Sequence, residues 1–81
     1  MAEVNLSAAL AALADNERQI QIEAKDIREL FRKLEERYPG LEPVLKNDVA
    51  VAIDGVIYRD NWSKELPDDA EIFLMRRLTG G

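Results

Sequence analysis

The chain has 81 residues, of which 47% are hydrophobic and 33% are charged, and its formal net charge is −5. This length allows one domain with a small core, and the composition is that of a folded protein rather than a disordered one. An acidic surface repels phosphate groups, so we expect neither a nucleic acid nor an anionic membrane as a partner.

The sequence contains no cysteine and no histidine. Disulfides, thiolate nucleophiles, histidine-dependent triads and ordinary zinc sites are therefore excluded. We predict no metal and no bound cofactor, and we predict a binding or carrier protein rather than an enzyme. No signal peptide and no apolar run of membrane-spanning length is visible, so we expect a cytoplasmic protein.

The first quarter of the chain predicts two short strands. Val4 and Leu6 alternate with polar residues, which favours a first strand. Residues 8–13 have strong helix propensity and predict either a short helical turn or a bulge at the end of that strand. Residues 19–24 alternate polar and apolar side chains, which predicts a second strand with one face turned to a core.

One main helix follows. Asp26 and Glu29 have the spacing of a capping box, and helical spacing of apolar residues continues from there to Tyr38. Pro39 and Gly40 then stop the helix. An amphipathic helix of this kind covers one face of a sheet.

The next segment predicts a turn and a hairpin. Residues 41–46 indicate a half-buried turn packed under the helix. Residues 49–53 alternate as a strand, and Asp54 with Gly55 is a two-residue hairpin signal because type I′ turns need positive φ at both positions. Residues 56–58 are then expected to return as a short partner strand.

A last strand is predicted over residues 71–75, after a turn at residues 66–69 in which Asp69 is expected to adopt a left-handed conformation. Strand alternation puts Ile72 and Leu74 on one face of the sheet, and Phe73 and Met75 on the other. If the second pair is exposed, the two side chains form a docking patch; the alternative is partial burial under loops.

The chain ends in a short tail. Arg76 and Arg77 either contact an acidic groove of a partner or are ordinary solvated charges. We divide the chain into a body at residues 1–75 and a flexible tail at residues 76–81. The terminal carboxylate of Gly81 is the one chemically suggestive group, because glycines lack a Cβ and can enter a narrow slot.

The predicted element order is β-β-α-β-β-β, and the chain stops at Gly-Gly. This combination, with the sequences at residues 49–55, 66–74 and 78–81, resembles the ubiquitin-like β-grasp sulfur carriers, of the molybdopterin synthase small-subunit and thiamine-pathway types. The resemblance implies an α+β fold, a β-grasp, with a mixed sheet of four to five strands packed on one main helix.

The resemblance also implies a function and partners. A ubiquitin-activating-type adenylating enzyme would use ATP to activate Gly81, and a sulfur donor, either a sulfurtransferase or a desulfurase, would convert it to a thiocarboxylate. A sulfur-acceptor synthase subunit would take the sulfur in cofactor biosynthesis, and the free carrier is expected to be a monomer. The implied tail-threading residues are Gly80, Thr79 and Leu78, and the implied docking residues are Phe73, Met75, Arg76 and Arg77.

Two other functions remain open from the sequence. Arg76 and Arg77 resemble an arginine-containing modifier tail, which favours a ubiquitin-like protein joined to lysines through Gly81. A non-covalent protein-interaction domain, in which the two terminal glycines are incidental, is the other alternative.

Overall fold

The computed structural model describes residues 1–47, 49–58 and 62–76, in which five strands form one mixed sheet. The strands are β1 (Ala2–Leu6), β2 (Gln19–Ile22), β3 (Val49–Ile53), β4 (Val56–Tyr58) and β5 (Glu71–Arg76), and the helices are α1 (Ala8–Ala11), α2 (Ile27–Arg37) and α3 (Glu42–Asn47). The strand order in the sheet is β2-β1-β5-β3-β4, and the helices and a 3₁₀ turn at Pro39–Leu41 join the strands.

The last strand lies in the middle of the sheet. β5 pairs in parallel with β1 and antiparallel with β3, while β1 with β2 and β3 with β4 form antiparallel hairpins. A strand hydrogen-bonded on both sides is held more firmly than an edge strand. The fold therefore anchors the point from which the C-terminal residues 77–81 continue.

The predicted Asp26 cap of the main helix is present, and Glu29 reaches back as predicted, although to the residue before the cap. The Asp26 carboxylate accepts a hydrogen bond from the Glu29 backbone N–H at 2.8 Å, and the Glu29 carboxylate accepts one from the Lys25 N–H at 2.9 Å. These bonds satisfy backbone donors that have no partner inside a helix. Helix α2 buries an apolar stripe against the sheet, made by Ile27, Leu30, Phe31 and Leu34.

The segment before the last strand closes the start of this helix. The Ile27 N–H donates to the Lys64 carbonyl at 3.1 Å, and the Arg28 N–H donates to the Trp62 carbonyl at 2.9 Å. The Trp62 ring meets the Phe31 ring edge-on, with centroids 5.0 Å apart. Trp62 therefore anchors this segment to the helix, and the first two N–H groups of α2 gain backbone partners.

Residues 41–46 differ from the prediction of a turn, because Leu41 ends the 3₁₀ turn and the following residues form helix α3. Leu41, Val44 and Leu45 are all buried, and their spacing of three and four residues is helical. Glu42 and Lys46 add an ion pair of 3.2 Å one turn apart. Packing under α2 was predicted correctly, but the short length of the segment hid its helical period.

Residues 8–13 begin with helix α1, so the helical turn is the correct one of the two predicted alternatives. Ser7 caps it, and Asp15 and Asn16 end the segment with φ angles of 53° and 63°. Gly40 packs against this region: a Cβ there would lie 3.2 Å from the Leu13 carbonyl oxygen. Glycine therefore allows the main chain after α2 to approach the end of this segment.

The predicted left-handed turn residues are confirmed. Asp54 and Gly55 have φ angles of 48° and 90°, as a type I′ hairpin turn requires, and Asp69 has a φ of 57°. Asp is among the residues that tolerate this region at modest cost.

No helix in the described parts of the chain is long and apolar enough to cross a membrane.

Candidate functional site

The two faces of the last strand differ sharply in burial. Ile72 and Leu74 are 0% and 1% exposed and lie in the core, whereas Phe73 is 44% exposed and Met75 is partly exposed. Phe73 and Met75 therefore lie on the face of the sheet turned away from α2, here called the open face. The predicted exposure is confirmed for Phe73 and is partial for Met75, and the docking role of the pair stays a prediction.

Apolar residues of the neighbouring strands lie beside Phe73 and Met75 on this face. Ala52 of β3 lies directly beside Phe73 in the register of the sheet, and Ala50 lies beside Met75. On the far side of β3, Ile57 of β4 lies beside Ala52 and is 55% exposed. Register partners share a face, so the side chains of Phe73, Met75 and Ile57 form one apolar patch on the open face, in which Ala50 and Ala52 are only 7% and 8% exposed.

The other half of the open face is polar. Asn5 of β1 flanks Phe73 on the side opposite Ala52, and its amide donates to the Ile72 carbonyl at 3.2 Å. Gln19 of β2 donates in turn to the Asn5 side-chain oxygen at 3.3 Å. A patch of this kind, apolar at one side and rimmed by amides, is typical of a protein-docking surface.

A shallow groove of about 570 Å³ crosses the boundary between the apolar and polar halves. Phe73 and Met75 line one side of it, and Asn5, Gln19 and Arg18 line the other. The groove lies on the part of the open face that leads toward the end of β5. A partner side chain could fill it while the partner backbone lies over the sheet.

The predicted tail has a defined starting point. Arg76 is exposed and is the last residue of β5, where it lies beside Val49 of β3. The strand thus extends one residue past Met75, at which the sequence prediction ended it. The other predicted site residues, Arg77, Leu78, Thr79, Gly80 and Gly81, lie outside the described residues.

Two parts of the open face escaped the sequence prediction. Ile57 was assigned to a strand but not to the site, although alternation along the hairpin puts it in the row of Ala52. Arg18 gave no signal, because its place beside Phe73 depends on how the β1–β2 connection folds. Among the described residues, no group of three or more Asp and Glu side chains is placed to hold a metal ion.

Solved structures share this fold over nearly the full length of the chain. The small archaeal modifier protein 1 from Methanosarcina acetivorans matches with a TM-score of 0.84 and 21% identity, covering 99% of this chain and 95% of that one. A chain of the BexX/CysO complex of Amycolatopsis orientalis matches with a TM-score of 0.82 and 15% identity, covering 100% of both chains.

A third structure has higher sequence identity. It is a chain of the complex of subunits 1 and 2 of the molybdopterin-converting factor from Helicobacter pylori 26695, with 28% identity and a TM-score of 0.69, covering 99% of this chain and 97% of that one. No curated protein matches by sequence. The model of the ThiS family matches residues 3–81, and the chain accordingly belongs to this family, with the predicted ubiquitin-like β-grasp fold of its sulfur carriers.

Proposed function

We propose that this protein is a sulfur carrier that works through a thiocarboxylate on Gly81. The observation that carries the proposal is the arrangement of β5, whose Phe73 is 44% exposed on the open face while the same strand continues into the segment that ends in Gly80 and Gly81. Membership of the ThiS family supports the same reading. The body then provides recognition, and the tail provides the reacting group.

The proposed chemistry begins with activation of a poor electrophile. The Gly81 carboxylate attacks the α-phosphorus of ATP in the active site of an adenylating enzyme, which forms an acyl-adenylate and releases pyrophosphate. A donor, either a sulfurtransferase or a desulfurase, carries sulfur as a persulfide, and reduction of that persulfide by two thiols releases sulfide and leaves a disulfide. The sulfide attacks the acyl carbon, and AMP leaves. The product is a thiocarboxylate whose sulfur is a good nucleophile.

The chain itself supplies no catalytic group in this scheme. Its role is to deliver the tail, since a docked protein raises the effective concentration of the sulfur far above that of a freely diffusing sulfide. Five residues follow Arg76, and an extended chain of that length spans at most about 18 Å. The body must therefore dock close to each partner's reacting atoms, and the open face is the surface that we propose for this docking.

The acceptor is proposed from the comparisons. The structural match to a chain of a two-subunit molybdopterin-converting factor favours a molybdopterin synthase small-subunit role first, with a large synthase subunit as acceptor. A thiamine-pathway carrier role is second, and it rests on membership of the ThiS family. We further propose that the free carrier is a cytoplasmic monomer that binds no cofactor of its own.

Intact-mass spectrometry tests the thiocarboxylate directly. The protein is incubated with the adenylating enzyme of its own organism, ATP and sulfide, and the expected result is a mass increase of about 16 Da, because one oxygen is replaced by sulfur. Omitting ATP should leave the mass unchanged. An unmodified mass with an enzyme that activates its other substrates would overturn the proposal.

A ubiquitin-like modifier role is the second candidate. The likeness to a small archaeal modifier protein and the presence of Arg76 and Arg77 before the terminal glycines favour it. In this role the activated Gly81 is transferred to a lysine amine instead of to sulfide. Peptides from cell extracts that carry Gly81 in an isopeptide bond, without a detectable thiocarboxylate, would decide for the modifier.

A further inference from the structure

One edge of the sheet presents unpaired backbone groups. β2 is the first strand in the sheet order, and among the described strands it pairs with β1 alone. The Leu6 N–H donates to the Arg18 carbonyl at 2.9 Å, and hydrogen-bonded pairs alternate with non-bonded pairs along antiparallel strands. In this register Ile20 bonds to β1, whereas the backbone N–H and C=O groups of Gln19 and Gln21 point away from the sheet.

These outward groups are accessible. In the described part of the chain they have no hydrogen-bond partner. The Gln19 side chain lies back over β1, where its amide donates to the Glu3 carboxylate at 2.6 Å and to the Asn5 side-chain oxygen at 3.3 Å. The strand contains no proline and no charged residue, which are common devices that prevent pairing at a sheet edge. The β2 edge can therefore accept a further strand.

A groove runs between this edge and helix α2. Its volume is about 410 Å³, and its lining residues are Gln21, Ile22, Glu23, Lys33, Glu36 and Arg37. Helix α2 begins shortly after β2 ends, and Gly40, just beyond the helix, packs on Leu13, which precedes β2, so the helix runs back along the strand. In a strand added to β2, every second side chain would lie on the α2 side, in this groove.

The α2 side of the groove carries one uncompensated positive charge. Lys33 lies 3.9 Å from the Glu29 carboxylate, and Glu36 lies 3.2 Å from the Arg32 guanidinium. Arg37, the last residue of α2, is exposed and forms no ion pair with any residue that the structure describes. A carboxylate on an added strand would give this guanidinium its partner.

We propose that the β2 edge binds an extended segment of a partner protein as an additional strand of the sheet, with an acidic side chain of that segment against Arg37. The backbone groups of Gln19 and Gln21 would provide the pairing, and the groove would select alternate side chains of the segment. The outward backbone groups require an extended polypeptide, and the free guanidinium requires an acidic one. Together they define the chemistry of the partner.

The opposite edge of the sheet is a poorer template. β4 has three residues, and the two-residue turn at Asp54 and Gly55 makes Val56 and Tyr58 the residues that bond to β3. Ile57 is then the one residue of β4 with outward backbone groups. β2 presents two such residues and a groove beside them, so strand addition is assigned to β2.

The β2 edge is separate from the open face. β2 lies two strands from β5, which is roughly 10 Å across the sheet. Arg37 belongs to α2, whereas Phe73 lies on the face turned away from that helix. A partner on β2 can therefore be held while the tail is engaged elsewhere. The inference goes beyond the proposed function and does not depend on the chemistry at Gly81.

An NMR titration with a defined peptide tests the proposal. The probe is a short amidated peptide in which valine and threonine alternate and one central threonine is replaced by glutamate; the same peptide with lysine there is its control. Gln21→Pro removes an outward N–H without removing a bond to β1, and Ile57→Pro makes the same change at the other edge. Arg37→Glu is matched by Arg28→Glu, at an exposed position near the start of α2.

The glutamate peptide should shift the amide signals of Gln19 and Gln21, with a dissociation constant of about 1 mM or tighter. Gln21→Pro should abolish this binding, and Ile57→Pro should leave it unchanged. The lysine peptide should bind about fivefold more weakly, because an exposed ion pair is lost. Arg37→Glu should reverse the preference between the two peptides, and Arg28→Glu should keep it.

Several results would overturn the inference. They are the absence of these shifts at about 5 mM peptide, shifts confined to β4 or to the open face, and equal binding of the two peptides by the parent chain. Sedimentation of the free chain as a dimer that Gln21→Pro abolishes would assign the edge to a second copy instead. If thermal unfolding shows that Gln21→Pro is unfolded, the charge reversal at Arg37 decides. A chain that lacks Gly81 should bind the glutamate peptide normally, whatever the outcome for the proposed function.

Discussion

Asp54 and Glu71 are joined by two hydrogen bonds that clamp the hairpin turn to the start of the last strand. The Asp54 N–H donates to the Glu71 carbonyl at 2.9 Å, and the Asp54 carboxylate accepts from the Glu71 N–H at 3.0 Å. The turn that closes β3 and β4 is thus tied to the first residue of β5. Both hairpin strands and β5 contribute to the apolar patch, so this clamp helps to hold the patch together.

Asp54→Ala should lower the free energy of unfolding by about 1 to 2 kcal/mol. The change removes the bond to the Glu71 N–H and puts alanine at a φ of 48°, a region that alanine occupies less readily than Asp. Asp54→Asn keeps a side-chain acceptor and tolerates the same φ, so it should stay within about 0.5 kcal/mol of the parent chain. Urea unfolding measures both; equal losses for the two variants would show that the bond contributes nothing.

Substitutions at two neighbouring residues of β5 should separate effects on stability from effects on docking. Ile72→Ala removes a side chain that is 0% exposed and should cost about 2 to 5 kcal/mol of stability. Phe73→Ala, one position later, removes a side chain that is 44% exposed, so we expect a loss of about 1 kcal/mol or less.

The same two variants should rank in the opposite order for activation. Under conditions in which both are folded, Phe73→Ala should raise the adenylating enzyme's KM for the carrier about tenfold or more, because a central apolar contact of the interface is lost. Ile72→Ala should change this KM little. If Phe73→Ala is activated like the parent chain, the open face is not the docking surface.

The sequence predicts the main elements because their signals are local. Strand alternation over residues 19–24, the capping box at Asp26 and the Asp54-Gly55 turn each depend on a few adjacent residues, and all three appear in the structure. Helix α3 was missed because its six residues are too few to distinguish a helix from a turn by periodicity.

The candidate site was predicted only in part, because only some of its residues are assigned by local sequence patterns. Alternation along β5 correctly assigns Phe73 to one face, but it does not say which strands flank that face. Ala52, Ile57 and Arg18 join Phe73 through strand order and register, which are properties of the whole sheet. The parallel pairing of the first and last strands brings Asn5 beside Phe73, although 67 residues lie between them in the sequence. No local sequence pattern predicts a pairing between residues so far apart.

The cap of the main helix should be measurable through the single tryptophan. Asp26→Ala removes the acceptor for the Glu29 N–H and should lower the free energy of unfolding by about 1 kcal/mol. Asp26→Ser keeps a capping oxygen and should lose less. Trp62 packs on Phe31 of the same helix, so its fluorescence in a urea titration should report the transition. A loss as large for serine as for alanine would contradict the capping role.

Removal of Gly81 should abolish function without affecting stability. Every buried apolar side chain in the described part of the chain lies between Ala2 and Leu74, so deletion of the last residue removes nothing from this core. The free energy of unfolding should stay within about 0.5 kcal/mol of the full-length value. ATP–pyrophosphate exchange with the adenylating enzyme should fall to background, because the shortened tail presents its carboxylate one residue, or about 3.5 Å, too early.

A chain extended by one alanine after Gly81 is the matched control for this deletion. It keeps both glycines but moves the carboxylate by the same distance in the other direction, so it should also be inactive while it still binds the enzyme through the open face. A non-covalent interaction domain predicts the opposite, namely that neither change affects any partner. Retained function in the chain that lacks Gly81 would therefore reject both the carrier and the modifier, and would leave the interaction domain as the role of this fold.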